Sequence, residues 1–348
     1  MIKSVKTIAA VSAISSGLVL GAQAQAADLS VVGSWSSLEL YKKFEQPFWN
    51  DALPAADANF NVQMTTFDQM GIPGGDVYRY LSDGMFDVGM TVADYTVQDA
   101  PELEALDFPL IAPDVETARK VATAFTPIAE SAMNKRFNSH VLAIVPYPSQ
   151  VVFCNQPIEN LADLAGKKVR ASGRTTSEFI NALGGESVGI AFNEVPAGLE
   201  RGVIDCAVTG SLSGYSAGWY EMATHLLPVP VGGWDYVITA INNDKWNSLD
   251  EAEQQSLQSA IDTEFADKVW ANAEVDTQQG IACLTGTAEC TKGEAANMTL
   301  VEATDADIEL TRKLLEETVI PAWVARVDDA TEQAWNEQVG SLVGLTAK

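Results

Sequence analysis

The sequence predicts an α/β protein built of two similar lobes. Strand signals alternate with helix signals along most of the 348 residues, and this alternation is typical of α/β folds with mainly parallel sheets. One short pattern also occurs twice, in distant parts of the chain. The composition, with 47% hydrophobic and 20% charged residues, is that of an ordinary globular protein, and the length suits about two domains.

The repeated pattern occupies residues 81–91 and 199–209. Leu, Gly, Asp and Thr recur at identical offsets in the two copies, as Leu81, Gly84, Asp87 and Thr91 and as Leu199, Gly202, Asp205 and Thr209. Each copy has the form of a helix end, a glycine stop and a buried strand. The repeat therefore favours two lobes of shared architecture.

The other elements follow from local patterns. Short apolar runs predict extended segments at 29–32, 61–66, 141–145, 150–154, 168–171 and 236–241. Helical spacing of apolar residues predicts helices from about Leu38, over 115–125, over 176–183 and after Ser248. The last helix is predicted to begin with a capping box at 248–251 and to be long, with one apolar face. We expect it to span both lobes at a hinge.

The first 26 residues have the pattern of a secretory signal peptide. Lys3 and Lys6 precede a mostly apolar stretch at 7–20, and small residues follow with cleavage positions after Ala26 or Ala24. An N-terminal membrane anchor is the alternative, but the apolar stretch is short for a span. We therefore expect export and release of the mature chain.

Charge and motif content argue against several functions. The 47 acidic and 21 basic residues give a net charge of −26, which disfavours a nucleic-acid partner. The only histidines are His140 and His225, too few for a three-histidine zinc site. The sequence has no Walker loop, no Gly-x-Gly-x-x-Gly and no Gly-x-Ser-x-Gly elbow. We therefore expect no metal site, no cofactor and no enzymatic activity.

The four cysteines are even in number and lie in the part of the chain predicted to be exported. Cys283 and Cys290 bracket a turn-rich stretch that suits a local disulfide. Cys154 and Cys206 remain, each in a strand-like run, and we predict that they pair. Buried free thiols are the alternative for both pairs.

Residues that follow strands are the candidate binding residues, because ligands of α/β sheets gather at the carboxyl ends of the strands. Arg170 ends a predicted strand, and its guanidinium matches a carboxylate in a bidentate fashion. An Arg–Asp bridge inside the lobe is an equal alternative for this side chain. Trp35 and Trp234 border glycine-containing turns and are candidates for apolar walls of a small-ligand site.

Three stretches resemble the solute receptors of TRAP transporters of the dicarboxylate-receptor (DctP) type. They are 155–170, which ends in Leu-Ala-Gly-Lys-Lys-Val-Arg, then 192–196, and 199–205; the run 81–87 and the pair 108–109 also fit. The resemblance implies a two-lobed periplasmic binding protein (type II-like) with a long interlobe helix and a hinge cleft. It implies capture of a small organic acid and delivery to the membrane subunits of a TRAP transporter, and we expect a monomer.

The resemblance also implies roles for single residues. Arg170 stands where the family pairs an arginine with the ligand carboxylate, and Phe192 where the family often places a ring against the ligand. Two positions depart from the family, since Thr209 replaces a ligand-contacting asparagine and a second arginine of some members is replaced near Gln150. The complete predicted ligand-binding set is Ser34, Trp35, Thr91, Asp94, Gln150, Arg170, Phe192, Thr209 and Trp234.

The family pattern places the crossings between the lobes near Pro148 and Trp234. Lobe I would comprise 27–148 and 236–274, lobe II would comprise 149–235 and 275–322, and 323–348 would form a C-terminal helical segment.

Three other functions stay open. The same receptor would bind an amine or a zwitterion if Asp94 or Asp235 and tryptophan faces caged a cation. A periplasmic enzyme would use the same cleft with His140 or His225. A sensor module would present the ligand to a signalling protein rather than to a transporter.

Overall fold

The computed structural model describes Met1 and residues 27–348, so the predicted signal peptide lies outside the described residues apart from Met1. The strands are β1 (Ala27–Gly33), β2 (Phe60–Thr66), β3 (Val88–Val92), β4 (Ser139–Val145), β5 (Gln150–Cys154), β6 (Lys168–Arg170), β7 (Glu186–Val188), β8 (Cys206–Gly210), β9 (His225–Leu227), β10 (Val237–Asn242) and β11 (Thr299–Leu300).

The helices are placed between and after the strands. The α-helices are α1 (Leu53–Ala56), α2 (Phe67–Met70), α3 (Val77–Ser82), α4 (Val115–Phe137), α5 (Arg174–Ala182), α6 (Val195–Glu200), α7 (Ser211–Ser216), α8 (Asn243–Ser248), α9 (Glu251–Ala260), α10 (Asp267–Thr285), α11 (Asp305–Leu314), α12 (Ile320–Val324), α13 (Asp329–Trp335) and α14 (Ser341–Val343). Turns of π-helix occupy Leu40–Glu45, Phe48–Ala52, Ile261–Ala266, Leu315–Val319 and Asn336–Gly340. Turns of 3₁₀-helix occupy Gly74–Asp76, Ala93–Thr96, Pro101–Leu106, Leu161–Leu164, Phe192–Glu194 and Trp219–Glu221.

Two sheets form the centres of the two lobes, as the predicted fold class requires. The first sheet has the strand order β2-β1-β3-β10-β4, and the second has the order β11-β9-β5-β8-β6-β7. Every residue of β3, β5, β8 and β10 is buried, as expected for strands covered on both faces. The chain passes from the first sheet to the second between β4 and β5, and returns between β9 and β10. The lobe limits given above remain our proposal.

The prediction of mainly parallel sheets is wrong, because both sheets are mixed. β1 pairs in parallel with β2 and β3, but β10 pairs antiparallel with β3 and β4. In the second sheet β6 pairs in parallel with β7 and β8, whereas β5 pairs antiparallel with β8 and β9. The antiparallel members β5 and β10 are the strands that enter each sheet from the other lobe. They do not arrive through the helical crossover that parallel pairing needs.

The long helix connects the two lobes. It runs without a break from α9 through the π-turn into α10. In its first part Gln258 Nε2 donates to the Leu142 carbonyl of β4 at 3.0 Å. Further along, the Thr277 carbonyl accepts from Ser211 Oγ of α7 at 2.9 Å, and Thr277 Oγ1 accepts from the Ser149 amide.

One local prediction is wrong. The cap of the long helix is Asp250, which forms a capping box with Glu253, two residues beyond the predicted position, while Ser248 ends α8. His225 lies in the short strand β9, whose backbone pairs with β5 and β11. No helix among the described residues has the length and hydropathy of a membrane span.

Both predicted disulfides are confirmed. Cys154 and Cys206 join neighbouring strands of the second sheet, and Cys283 and Cys290 close the turn after α10. The bridge across β5 and β8 lies in the buried centre of its sheet, where both cysteines have no exposed surface.

Candidate functional site

Arg170 is the buried cation of the cleft between the two sheets. It ends the short strand β6 and is only 2% exposed. Its Nη1 donates to the Val208 carbonyl at 2.9 Å and its Nε to the Ile190 carbonyl at 3.2 Å. The guanidinium also lies 6.0 Å from the centre of the Trp219 ring, a cation–π distance. Within the described residues it forms no ion pair with a carboxylate, although its charge acts on the nearby Asp94 and Asp235.

Two cavities meet at this guanidinium. The outer one has a volume of about 820 Å³, and its lining includes Phe67 of the first lobe and Trp219 of the second. The inner one is much smaller and contains Thr209, Tyr147 and Asp235. Five residues line both cavities: Trp35, Tyr95, Arg170, Ser172 and Phe192. The cavities are therefore two parts of one cleft.

Aromatic rings wall the cleft from both sides. The Trp35 ring, which follows β1, has its centre 5.5 Å from that of Tyr95 and 6.3 Å from that of Tyr147. It also contacts Phe192, from the opposite lobe, at 5.9 Å, and Phe192 in turn packs on Trp219 at 5.2 Å. Edge and tilted ring contacts of this kind are favourable. They bring the two lobes together over the cavity.

Two carboxylates lie beside Arg170. Burial raises the pKa of Asp94 to about 6, although Arg170 acts in the opposite direction. Burial, with further contributions from Asp94 and Asp107, raises the pKa of Asp235 well above its usual range. The Oδ1 atoms of both Asp94 and Asp235 are buried and have no hydrogen-bond partner among the described residues.

Asp107 holds the segment that carries Asp235. Its carboxylate accepts hydrogen bonds from the backbone amides of Trp234 and Asp235, both at 2.6 Å. Gly233 has φ of +70°, and a Cβ at this position would lie 1.8 Å from Asp107 Oδ1. Only glycine fits there, so the turn and the carboxylate that fixes it depend on each other.

Four of the nine predicted site residues line the cavities, and a fifth, Asp94, contacts the opposite lobe. Arg170, Phe192 and Trp35 line both cavities, Thr209 lines the inner one, and Asp94 touches the second lobe at Gly173, where a Cβ would lie 2.5 Å from Asp94 Oδ2.

The other four are buried beside the cleft and line neither cavity. Thr91 Oγ1 donates to the Gly74 carbonyl at 3.1 Å, Gln150 Nε2 to the Gly232 carbonyl at 2.7 Å, and Trp234 Nε1 to the Ala112 carbonyl at 2.8 Å. The Ser34 amide donates to Glu45 Oε2 at 2.8 Å, and its hydroxyl accepts from Tyr147 at 3.0 Å. These side-chain bonds fix the loops that border the cleft.

Sequence reasoning missed Tyr147 and Ser213, which line the inner cavity. Tyr147 lies between two prolines in the segment that crosses from the first sheet to the second. An aromatic residue in such a crossing is a signal that could have been used, because the floor of a two-lobed cleft is formed by the crossing segments. Ser213 lies in the buried helix α7 and offered no comparable signal.

Ion pairs join the first lobe to α5 and to the C-terminal segment. Glu104 of the first lobe accepts from Arg174 Nη1, at the start of α5, at 2.9 Å. Arg326 of the C-terminal segment donates to Glu104 and, at 2.6 Å, to Glu178 of α5. Burial raises the pKa of Glu104, and the two arginines lower it. Arg174 therefore faces a carboxylate of the protein and not the cavity.

Both histidines lie away from the cleft. His140, in β4, stacks on Trp246 with ring centres 4.4 Å apart, and its Nδ1 lies 2.7 Å from Glu130 Oε1. His225 lies in β9, with its Nδ1 2.8 Å from Thr224 Oγ1. Each histidine side chain is thus held by local contacts outside the cleft.

Comparison with known proteins gives relatives of one kind. The ectoine-binding periplasmic protein TeaA of Halomonas elongata is 24% identical over 214 residues, which make up 60% of this chain and 62% of that protein. The match thus spans less than two thirds of that relative's length.

Solved structures extend the likeness of fold over almost the whole chain. The extracytoplasmic solute receptor DctP7 of Bordetella pertussis, which binds pyroglutamic acid, superposes with a TM-score of 0.79 and 16% identity, covering 92% of this chain and 100% of that one. A TRAP periplasmic solute binding protein of Desulfovibrio salexigens with bound orotic acid gives a TM-score of 0.80 and 16% identity, with 91% and 99% covered.

The model of one protein family matches most of the chain, over residues 41–319. It confirms the resemblance described from the sequence, and the predicted location outside the cytoplasm is that of the family. The chain belongs to the bacterial extracellular solute-binding proteins, family 7, the DctP family.

Proposed function

We propose that this protein is an extracytoplasmic receptor that captures a small organic acid in its cleft and delivers it to the membrane subunits of a TRAP transporter. The carboxylate of the acid would pair with Arg170. Phe192 and Trp35 would pack against its apolar part, and Thr209 would lie within the inner cavity beside it.

The observation that carries the proposal is the buried, unpaired charge of Arg170. A buried charge is costly unless a partner neutralises it. The two carbonyls that hold this guanidinium carry no full charge, and Asp94 and Asp235 act on it only from beyond ion-pair distance. A carboxylate on the cavity side would complete the pair in the bidentate geometry that guanidinium favours. The outer cavity volume of about 820 Å³ is within the range of small-molecule sites.

The two-lobed form supplies the mechanism of capture. Arg170 and Phe192 belong to the second sheet and its loops, whereas Trp35 and Tyr95 follow strands of the first sheet. A solute that contacts both groups binds the closed arrangement more tightly than an open one, and only such differential binding shifts the equilibrium. Closure would also remove the solute from water.

Known relatives support the ligand class. Among the similar proteins, DctP7 binds pyroglutamic acid, and the Desulfovibrio salexigens protein was solved with bound orotic acid. An amine is the second candidate, and the Asp235 carboxylate in the inner cavity favours it. The charge of Arg170 in the same cavity opposes an amine that lacks an acid group.

Substitution of Arg170 tests the proposal directly. A thermal-shift screen of organic acids and amines identifies binders, because a bound solute stabilises the native state. Calorimetry of the best acid should show an affinity at least about 100-fold lower for Arg170→Ala, and a clear loss for Arg170→Lys, which lacks the planar fork. Arg201→Ala, at an exposed arginine of the same lobe, is the matched control and should bind normally.

An unchanged dissociation constant in Arg170→Ala would contradict the assigned role. Delivery is tested separately, by uptake of the radiolabelled acid in cells that lack this protein. Uptake should fall to background and return with the native gene. Normal uptake in those cells would point to the sensor function, and formation of a product from the bound acid would point to an enzyme.

A further inference from the structure

We infer that the captured solute is dipolar, with a protonated amino group that Asp235 accepts in the inner cavity while Arg170 holds its carboxylate. This inference rests on the proposed function and specifies the class of organic acid. It assigns a second, anionic subsite within the same cleft.

The two charges face one small space from different elements. Arg170 comes from the end of β6, and Asp235 from the segment between β9 and β10, yet both line the inner cavity. They form no ion pair with each other, and the Arg170 guanidinium donates instead to the Ile190 and Val208 carbonyls. The cavity therefore presents a guanidinium and a carboxyl group that are not bonded to each other.

Asp235 lacks a donor that a ligand would supply. Its Oδ1 is buried and without a partner among the described residues, as is that of Asp94. Leaving a carboxylate oxygen buried and unbonded costs free energy, and the cost is greater when the group is ionised. The raised pKa of Asp235 has a related cause, because burial makes this carboxyl harder to ionise. An N–H group of a cationic ligand would remove the deficiency and its charge would favour the ionised form of Asp235, whereas a plain acid brings no such donor.

The backbone holds Asp235 in place at some conformational cost. Its φ is +49°, in the left-handed region that residues other than glycine seldom adopt. The two short hydrogen bonds to Asp107 stabilise this conformation. Backbone strain of this kind is concentrated at functional sites. Aspartate and asparagine tolerate the region better than other side chains, so Asn can replace Asp235 without a change of backbone.

The remaining walls suit a small ammonium group. The inner cavity has a volume of about 10 Å³, which corresponds to about one water-sized group. The aromatic side chains of Trp35, Tyr95 and Tyr147 line it, and their ring faces attract a cation. Ser213 and Thr209 supply hydroxyl oxygens. An amino group fits this space in size, charge and hydrogen bonding.

Isosteric pairs of acids test the inference. The pairs are β-alanine with butanoate, γ-aminobutyrate with pentanoate, and L-proline with cyclopentanecarboxylate, so that each zwitterion differs from its partner mainly by the charged nitrogen. Affinities are measured by calorimetry for the native protein, Asp235→Asn, Arg170→Ala and the exposed control Asp51→Asn.

In the native protein the best zwitterion should bind at least about 10-fold more tightly than its partner acid, which corresponds to 1.4 kcal/mol. Asp235→Asn should reduce this ratio to near one and leave binding of the plain acid unchanged or tighter. Asp51→Asn should keep the native ratio, and Arg170→Ala should weaken both members of the pair.

The inference is overturned if no zwitterion binds, if the plain acids bind as well as the zwitterions, or if Asp235→Asn keeps the native ratio. In each of these cases the proposed function still holds if the native protein binds the plain acids and Arg170→Ala does not. Acid binding that survives in Arg170→Ala contradicts the proposed function itself.

Discussion

The two sheets share one arrangement of five strands. The order β2-β1-β3-β10-β4 of the first sheet matches β7-β6-β8-β5-β9 of the second. In the first sheet Val88 of β3 pairs with Val31 and Ile241, and in the second Cys206 of β8 pairs with Val169 and Cys154. The strand registers therefore identify, for each central residue of one sheet, the equivalent residue of the other sheet.

The shared aspartate of the repeated pattern has the same role in both sheets. Asp87 accepts from the Ser30 amide at 2.8 Å, and Asp205 accepts from the Lys168 amide at 2.9 Å. Ser30 and Lys168 occupy equivalent positions on β1 and β6. The glycines before these aspartates have φ of +71° at Gly84 and +65° at Gly202. The repeat thus encodes a turn and a bond that tie each strand to its neighbour.

The sheets differ where the strands end. Arg170 is the equivalent of Val32, which is a buried apolar residue of the first sheet. Ala171 is the equivalent of Gly33, which leaves room for the Glu45 carboxylate. At this position the common scaffold thus carries a buried cation in one lobe only. This agrees with the general observation that function is added to a fold at the carboxyl ends of strands.

The largest stability difference between the sheets should come from the Cys154–Cys206 disulfide, which replaces an apolar pair of the first sheet. Its cysteines are 52 residues apart, against 7 for Cys283–Cys290. Because a longer loop gains more from closure, the double substitution Cys154→Ala with Cys206→Ala should lower the free energy of unfolding by about 4 kcal/mol, and Cys283→Ser with Cys290→Ser by about 2 kcal/mol. Urea denaturation measures both. Equal losses would show that loop length does not determine the contribution.

The next effect concerns Glu45. Its carboxylate lies beside Gly33 at the end of β1, and the equivalent position of the second sheet, Ala171, has no such carboxylate. Burial raises the pKa of Glu45 to about 7. In the unfolded chain this carboxyl ionises near its ordinary pKa of about 4.5. The stability that the protonated Glu45 provides is therefore fully present below pH 4.5 and is lost as the pH rises from 4.5 through 7. Glu45→Gln should match the native protein at pH 5 and exceed its free energy of unfolding by up to about 3 kcal/mol at pH 8.

Chemical denaturation at the two pH values checks this effect. The exposed Glu200→Gln serves as the control and should show no such pH-dependent gain. The same difference between Glu45→Gln and the native protein at both pH values would exclude a raised pKa as its cause.

The smallest effect tests whether the repeated aspartates are equivalent. Asp87→Ala and Asp205→Ala should each lower the free energy of unfolding by about 1–2 kcal/mol, because each removes a charge-assisted hydrogen bond to a strand amide. Both carboxylates accept a second side-chain bond, Asp87 from the Ser30 hydroxyl at 2.7 Å and Asp205 from Gln156 Nε2 at 3.1 Å. Asp87→Ala should cost more, because its second bond is shorter and partly buried whereas that of Asp205 is exposed. A negligible cost for one variant and a large one for the other would break the equivalence of the sheets.

Much of the scaffold could be predicted from local sequence. The strands at 61–66 and 150–154, the repeat, the long helix and the cysteine pairing agree with the structure because each depends on residues near in sequence or on a pattern that recurs. The strand directions could not be predicted in this way. A run of apolar residues indicates a strand, but the antiparallel entry of β5 and β10 depends on how the chain crosses between the lobes.

Within the site, position after a strand predicted only part of the lining. Arg170, Phe192, Thr209 and Trp35 line the cavities, and the family resemblance contributed to the choice of the first three. Trp234 meets the same positional criterion, yet its indole reaches the Ala112 carbonyl, 122 residues away in the chain. Tyr147 has no strand-end signal and still lines the inner cavity.

By itself the sequence determined the alternation of strands and helices, the turn glycines that separate them, and the presence of one arginine at the end of a buried strand. These depend on backbone preferences and apolar spacing over a few residues. Only the tertiary structure decided which side chains face the cavity and which are held by distant groups. The Asp107 carboxylate, for example, fixes the backbone of Asp235 across 128 residues of chain, because a hydrogen bond requires proximity in space and not in sequence.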